Sequence, residues 1–412
     1  MKRTILVLLV ILLVSPVFAE RVAMPAVTMP SAASNAMGGH HVAYTDNVFS
    51  LLVNPGALVR TQQRSFFTIA PSLYSPQLTS DLANTISEMF GSMGDDDDSS
   101  GMIELIGNMM DTLKERDGKF ALGFELRELP LLSFASVRNG FGFAFWQNLS
   151  ISANFNGLYF ESQVYADAML PIGFGFRIFD YNGHSVDGGI TVTPFVRTMM
   201  HLGPTSVFNL ESELETFIDE AIIPVIAGGT FGIGFMYRWD KGLRAGMTFN
   251  NIYSLGKVVT NLSDNEPDSY PDYYIPFSMD IGVAYEFKLG RLFDFAVAAT
   301  WNDFFNLFNQ KDYLNNRNAM LDLGIGFQVK IINIFNIRFG MNEMLPAAGI
   351  GFDLGPVMID LSYYGREFGS EPGVLPVAVV DLSIAIRPEA KPTVRPWNRR
   401  TLVGRFGGPE SI

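Results

Sequence analysis

From Ser278 to Lys288 the chain alternates without a break. Met279, Ile281, Val283, Tyr285 and Phe287 are apolar, while Asp280, Gly282, Ala284, Glu286 and Lys288 between them are polar or small. A period of two belongs to an extended strand, whose side chains point to opposite faces in turn. The pattern returns at 293–302, 321–330, 333–342, 347–354, 357–366 and 377–387. Upstream it occupies 64–74, 119–127, 141–155, 187–197, 230–239 and 243–250, with a further short segment at 130–137. Leu158 to Ile178 reads as two strands with a tight turn near Asp167 to Met169. About sixteen segments result, two of the early ones weak, so the expected fold is all-β with fourteen or sixteen strands.

Strands of about ten residues, apolar on one face and polar or small on the other, are the mark of a transmembrane antiparallel β-barrel. A soluble sandwich alternates too. Two features favour the barrel. The apolar faces are rich in Phe, Tyr and Trp, while the opposite faces carry charges at strand centres. Connections also alternate in length, tight at Asp240-Lys241-Gly242, Leu289-Gly290-Arg291, Ile332-Asn333 and Gly355-Pro356, long at 198–228, 251–276 and 304–317. Short inner turns and longer outer loops are the barrel arrangement, and the strands must close because lipid cannot satisfy an open edge.

Composition agrees. Only 17% of the 412 residues are charged, 13% are aromatic and 39 are glycine. The net charge of −13 argues against nucleic acid as a partner. Without cysteine, disulfides and thiolate chemistry are excluded. Residues 1–19 have a basic start (Lys2, Arg3), an apolar core and a small-residue step at Val17-Phe18-Ala19, which predicts a secretory signal peptide. The barrel is then expected over 63–388. Helical extracellular insertions are predicted at 75–118 and 198–228, and a periplasmic Pro/Arg-rich tail, disordered or partner-binding, at 389–412.

The lumen-facing positions suggest sites. Arg127, Arg177, Arg238, Arg244, Lys288, Lys330 and Arg387 are placed near the periplasmic end as a basic ring. They either guide an anionic head group or pair with Glu125, Glu286, Asp294 and Asp353. Arg338, nearer mid-barrel, is the candidate for contacting such a group. The insertions present Met89, Met109, Leu214 and Phe217 as an outer groove for a hydrophobic ligand, or as a cap packed on itself. Glycine pairs 173/175, 232/234, 324/326 and 349/351 either make shelves for close approach of another backbone or only relieve crowding in a curved barrel. No catalytic, metal or cofactor motif is recognisable, so an enzyme is not expected.

The stretch before the first strand carries Ser34-Asn35-Ala36-Met37-Gly38-Gly39, then Val42-Ala43-Tyr44-Thr45-Asp46-Asn47, then Asn54-Pro55-Gly56-Ala57. It resembles the hatch of the outer-membrane long-chain fatty-acid transporter family (FadL-type), including the related barrels of secretion systems. Gly56 before Ala57 departs from that family's Asn-Pro-Ala. The resemblance implies a fourteen-stranded outer-membrane barrel blocked by a luminal hatch at 20–62, with Gly38, Gly39, Asn54, Pro55 and Ala57 as hatch residues. It implies passive uptake of hydrophobic compounds, fatty acids above all, through hatch movement and a route across the barrel wall. The expected partners are such a molecule, outer-membrane lipid and the barrel-assembly machinery. The competing expectation is a structural barrel that docks a periplasmic or surface protein.

Overall fold

The computed structural model describes residues 21–26, 29, 31–45, 47–75, 119–127, 133–156, 159–206, 222–263, 269–290, 292–305 and 317–387. The predicted leader, the insertion after Ser75, the tail after 388 and most of the second insertion lie outside them.

The strands are β1 (Arg21–Ala23), β2 (Gln63–Ser75), β3 (Lys119–Arg127), β4 (Phe134–Arg138), β5 (Phe141–Asn156), β6 (Tyr159–Met169), β7 (Ile172–Tyr181), β8 (His184–Ser206) and β9 (Pro224–Trp239). They continue as β10 (Leu243–Asn261), β11 (Asp272–Tyr274), β12 (Ser278–Leu289), β13 (Phe293–Trp301), β14 (Leu323–Ile331), β15 (Phe335–Asn342), β16 (Leu345–Asp353), β17 (Val357–Glu367) and β18 (Pro376–Ile386). β18 pairs antiparallel with β2, so the wall closes on itself. β1 and β11 form a short parallel pair docked on β10 and are not part of the wall.

Two wall strands are each built from two pieces. β3 and β4 lie in line between the same neighbours, β2 and β5. β6 and β7 lie in line between β5 and β8. The barrel therefore has fourteen strands.

The expected turn near Asp167 to Met169 does not exist. The chain runs straight on, and the ladder is only disturbed at Leu170-Pro171, where proline has no N–H to give. There the Leu170 N–H donates to Pro194 O at 2.9 Å and the Ala144 N–H to Pro171 O at 3.0 Å.

Two other boundaries shift. β8 runs through Ser206 and β9 starts at Pro224, so the ends of the predicted 198–228 insertion are strand. β10 runs on past Asn250 to Asn261, with a register shift after Phe249 and Asn251 at φ 53. The bulge hid this extension, because it breaks the alternation on which a strand is recognised.

The two faces differ as the alternation requires. On β12, Val283 and Tyr285 are 54% and 46% exposed outside, whereas Ala284 between them is 3% exposed inside. Aromatic rings stack across the outer face, as Phe287 does on Phe295 at 5.0 Å. Such a band suits lipid.

At one end the turns are tight, with Asn139-Gly140 and Asn182-Gly183 both at positive φ, as two-residue hairpins demand. The other end carries the long connections, though not strictly. Only residues 157–158 join β5 to β6, and only Glu343-Met344 join β15 to β16.

Candidate functional site

The segment before β2 lies against the inner faces of strands on both sides of the barrel, which places it in the lumen. Its local structure follows from its caps. Ser31 caps the short helix α1 (Ala32–Asn35) by accepting from the Ser34 N–H at 3.1 Å, and Ser34 returns the bond. Gly38 and Gly39 then turn the chain at φ 85 and 103. Gly38 is needed twice over, since a Cβ there would also strike the backbone of β14 and β15. A second helix, α2 (Ser50–Val53), leads to Asn54 and a 3-10 helix at Pro55–Val59.

Asn54 is fully buried and uses its whole side chain. Its Oδ1 accepts from the Gly56 N–H at 3.0 Å, and its Nδ2 donates to Val42 O at 2.8 Å and Phe235 O at 3.0 Å. Pro55 opens the 3-10 helix, where a missing N–H costs nothing. Ala57 is buried, and its carbonyl accepts from the Thr61 hydroxyl at 3.0 Å.

Inward glycines make the room. Gly324 and Gly326 face Gly38 and Met37, Gly349 faces Ala36, Gly234 faces Asn54 and Pro55, and Gly173 and Gly175 face Leu58. Gly232 and Gly351 meet only the wall. Gly189, Gly246 and Gly340 also approach the segment and were not singled out in sequence. They stand alone rather than in pairs, but each occupies an inward position of its strand.

Polar wall side chains bind the segment. Asp381 accepts from Asn35 Nδ2 at 2.5 Å and from Arg127 Nη2 at 2.7 Å, with Arg127 2% exposed. His41 donates from Nε2 to Met37 O at 2.7 Å, which leaves Nδ1 to accept from the Thr300 hydroxyl at 3.2 Å. Burial pushes the His41 imidazole down to about 4, so it is neutral at pH 7. Thr248 donates to Val53 O at 3.0 Å. Arg197, locked to Asp167 by two bonds of 2.6 and 3.0 Å, donates to Pro25 O at 2.7 Å. Leu51 and Leu58 are fully buried, and Phe49 stacks on Trp146 at 5.4 Å.

The basic residues predicted as a ring are each matched to a carboxylate. Arg177 and Arg238 both hold Asp187, at 2.9 Å each, and Arg244 holds Glu286 at 2.7 Å. Lys288 faces Asp294 at 3.4 Å, while Lys330 and Arg387 share Asp353. Arg127 does not belong at that end. Its strand continues through β4, so it stands halfway up the wall opposite Ala70. Taking 119–127 and 130–137 as separate strands had put it too low. Arg338 is 6% exposed, with its guanidinium donating to Gln328 at 2.7 Å and Asp360 at 2.5 Å. Gln328 in turn donates to the Tyr44 hydroxyl at 3.0 Å. Met89, Met109, Leu214 and Phe217 lie outside the described residues.

A cavity of about 340 Å³ opens between the segment and β8–β10 and β12. Met29, Val42, Leu51, Phe195 and Ile275 give it an apolar side, and Asn250, Ser278, Asp280 and Asp303 a polar one. Apolar walls with a few converging polar groups are the usual make-up of a small-molecule site.

β3 and β4 lie out of even step with their neighbours beside this segment. Six residues separate Arg127 from Phe134, where β2 has three between the matching partners and β5 has two. Residues 128–132 between β3 and β4 lie outside the described residues. Arg127 with Asp381 and Asn35 stands at one edge, and Trp146 under Phe49 at the other.

These features define a membrane-spanning β-barrel of fourteen strands with a ligand-sized cavity in its lumen. Among solved structures the chain is similar to the CymD monoaromatic hydrocarbon channel, with 11% identity over 88% of this chain and 98% of that one, TM-score 0.44. It is similar to the P. putida toluene transporter TodX, with 12% identity over 87% and 98%, TM-score 0.44. A Pseudomonas aeruginosa FadL homologue matches with 9% identity over 89% and 99%, TM-score 0.43. No family model matches the sequence, and no curated protein matches it. The fold assignment rests on strand order and register.

Proposed function

We propose that this protein is an outer-membrane channel for passive uptake of hydrophobic compounds, with residues 20–62 as a movable hatch. The observation that carries the reading is the half-apolar cavity between the N-terminal segment and the wall. Cargo enters from the long-loop end and rests there. Displacement of the segment then opens a route across the barrel wall, through which an apolar molecule leaves sideways into lipid. Fatty acids are the cargo class that the sequence resemblance implies. The leader directs export.

The test is flux into liposomes. Protein lacking residues 20–57 is compared with the full mature chain for uptake of a hydrophobic dye. A changed rate, with the barrel still shifting on heating in gels, supports hatch gating. An unchanged rate removes it.

A further inference from the structure

Resting on the reading of residues 20–62 as a movable hatch, we infer that Asp381 is a two-position latch. It holds Asn35 of the segment in the seated state, and it takes Ser72 and Ser362 of its own wall when the segment leaves. Asp381 is 1% exposed, and its two oxygens are divided. Its Oδ1 accepts from Arg127 Nη2 at 2.7 Å and its Oδ2 from Asn35 Nδ2 at 2.5 Å. The second of these donors belongs to the segment. Its departure strips a buried carboxylate oxygen of a partner, which is costly unless another donor replaces it.

Replacement donors stand on both sides. Ser72 of β2 and Ser362 of β17 are the residues directly opposite Asp381 across its two ladders. Residues so opposed share a face, with Cβ atoms about 4.5–5.5 Å apart. Both serines are 1% exposed, and neither hydroxyl has a hydrogen-bond partner among the described residues. A buried hydroxyl left unpaired destabilises the state that contains it, and alanine would fill either position without that cost. Two idle hydroxyls flanking one carboxylate have a use in a second state, where they donate to it. A serine reaches that state by rotation about χ1, with no shift of the backbone.

The other neighbours of the serines do not compete for this role. Ser72 also stands opposite Glu125, which already accepts from Arg366 at 2.9 Å and lies 3.7 Å from Arg127. Ser362 otherwise faces Gly349. Asp381 is the acceptor that both serines have in common. Arg127 keeps Oδ1 in either position, so the buried ion pair survives the exchange. The seated state carries two unmade bonds and the released state makes them, which brings the two states closer in energy.

The experiment is a cycle of four full mature proteins in lipid nanodiscs: the unaltered chain, Asn35→Ala, Ser72→Ala/Ser362→Ala and the triple variant. The readout is hydrogen exchange of residues 31–39. With the serines present, Asp381 turns to them, and Asn35→Ala is expected to raise exchange by about threefold or less. With the serines gone, the same substitution should raise it by about tenfold more than that. Ser72→Ala/Ser362→Ala alone should slow exchange below that of the unaltered chain. An equal effect of Asn35→Ala in both backgrounds would overturn the latch, whatever the hatch does. Dye flux of the same four proteins tests the hatch separately. Flux that follows exchange supports both readings, whereas coupled exchange with unchanged flux keeps the latch and overturns gating.

Discussion

The N-terminal segment is held differently on two sides of the barrel. Against β14–β16 it is packed backbone to backbone, with Met37 and Gly38 pressed on Gly324, Gly326 and Gly340. Near β3 and β4 it is held by side chains, through Asn35 on the Arg127–Asp381 pair and Phe49 on Trp146. A backbone shelf has one arrangement, because nothing in it can rotate away. Side-chain bonds are discrete and can be released by a rotamer change. Release is therefore expected to begin on the side held by side chains and to pivot on the shelf.

The comparison can be broken by substitution. Asp381→Ala leaves Arg127 buried with its main partner gone, and should cost about 3–5 kcal/mol. Hydrogen exchange of residues 31–61 should rise first near Asn35, and equal exchange at Gly38 would contradict the pivot.

Gly326→Val puts a side chain into the Met37 carbonyl, and should cost about 1–3 kcal/mol by overpacking. The expected result is the reverse pattern, with proteolysis near Gly38 while the Phe49–Trp146 contact survives in tryptophan fluorescence.

Acid acts on the shelf side through His41. Its folded pKa of about 4 lies below the ordinary 6.5, so the stabilisation is complete above 6.5 and declines as pH falls toward 4. At pH 5.5 the released state should gain about tenfold relative to pH 8, read by exchange of residues 37–44. His41→Gln should remove its share of that response and leave the share of the neighbouring His40, which burial also lowers to about 4.

Arg60→Ala should do least. Arg60 lies 3.7 Å from Asp187 and is 40% exposed, so a loss of about 0.2–1 kcal/mol is expected, read as a barely altered exchange rate.

Strand faces were legible from sequence because alternation is local. Residues such as Val283 and Ala284 declare their sides within one strand. An unbroken parity from Val164 to Ile178 was also the sign that β6 and β7 are one strand, since a turn inside would have disturbed it. Four of the residues that tie down the segment, Arg197, Asp381, Thr300 and Gln328, were not legible. Each is an ordinary inward polar residue on its own strand, and only its height beside a particular segment residue gives it a role.

The sequence by itself determined that this chain forms alternating strands with an apolar outside, and some of the glycines that leave space inside. Tertiary structure decided the count of fourteen, the position of Arg127 halfway up the wall, and the pairing of every predicted ring cation with an acid. The physical reason is register. A period of two fixes which face a side chain takes, but the height at which it meets its neighbour is set only when the sheet closes.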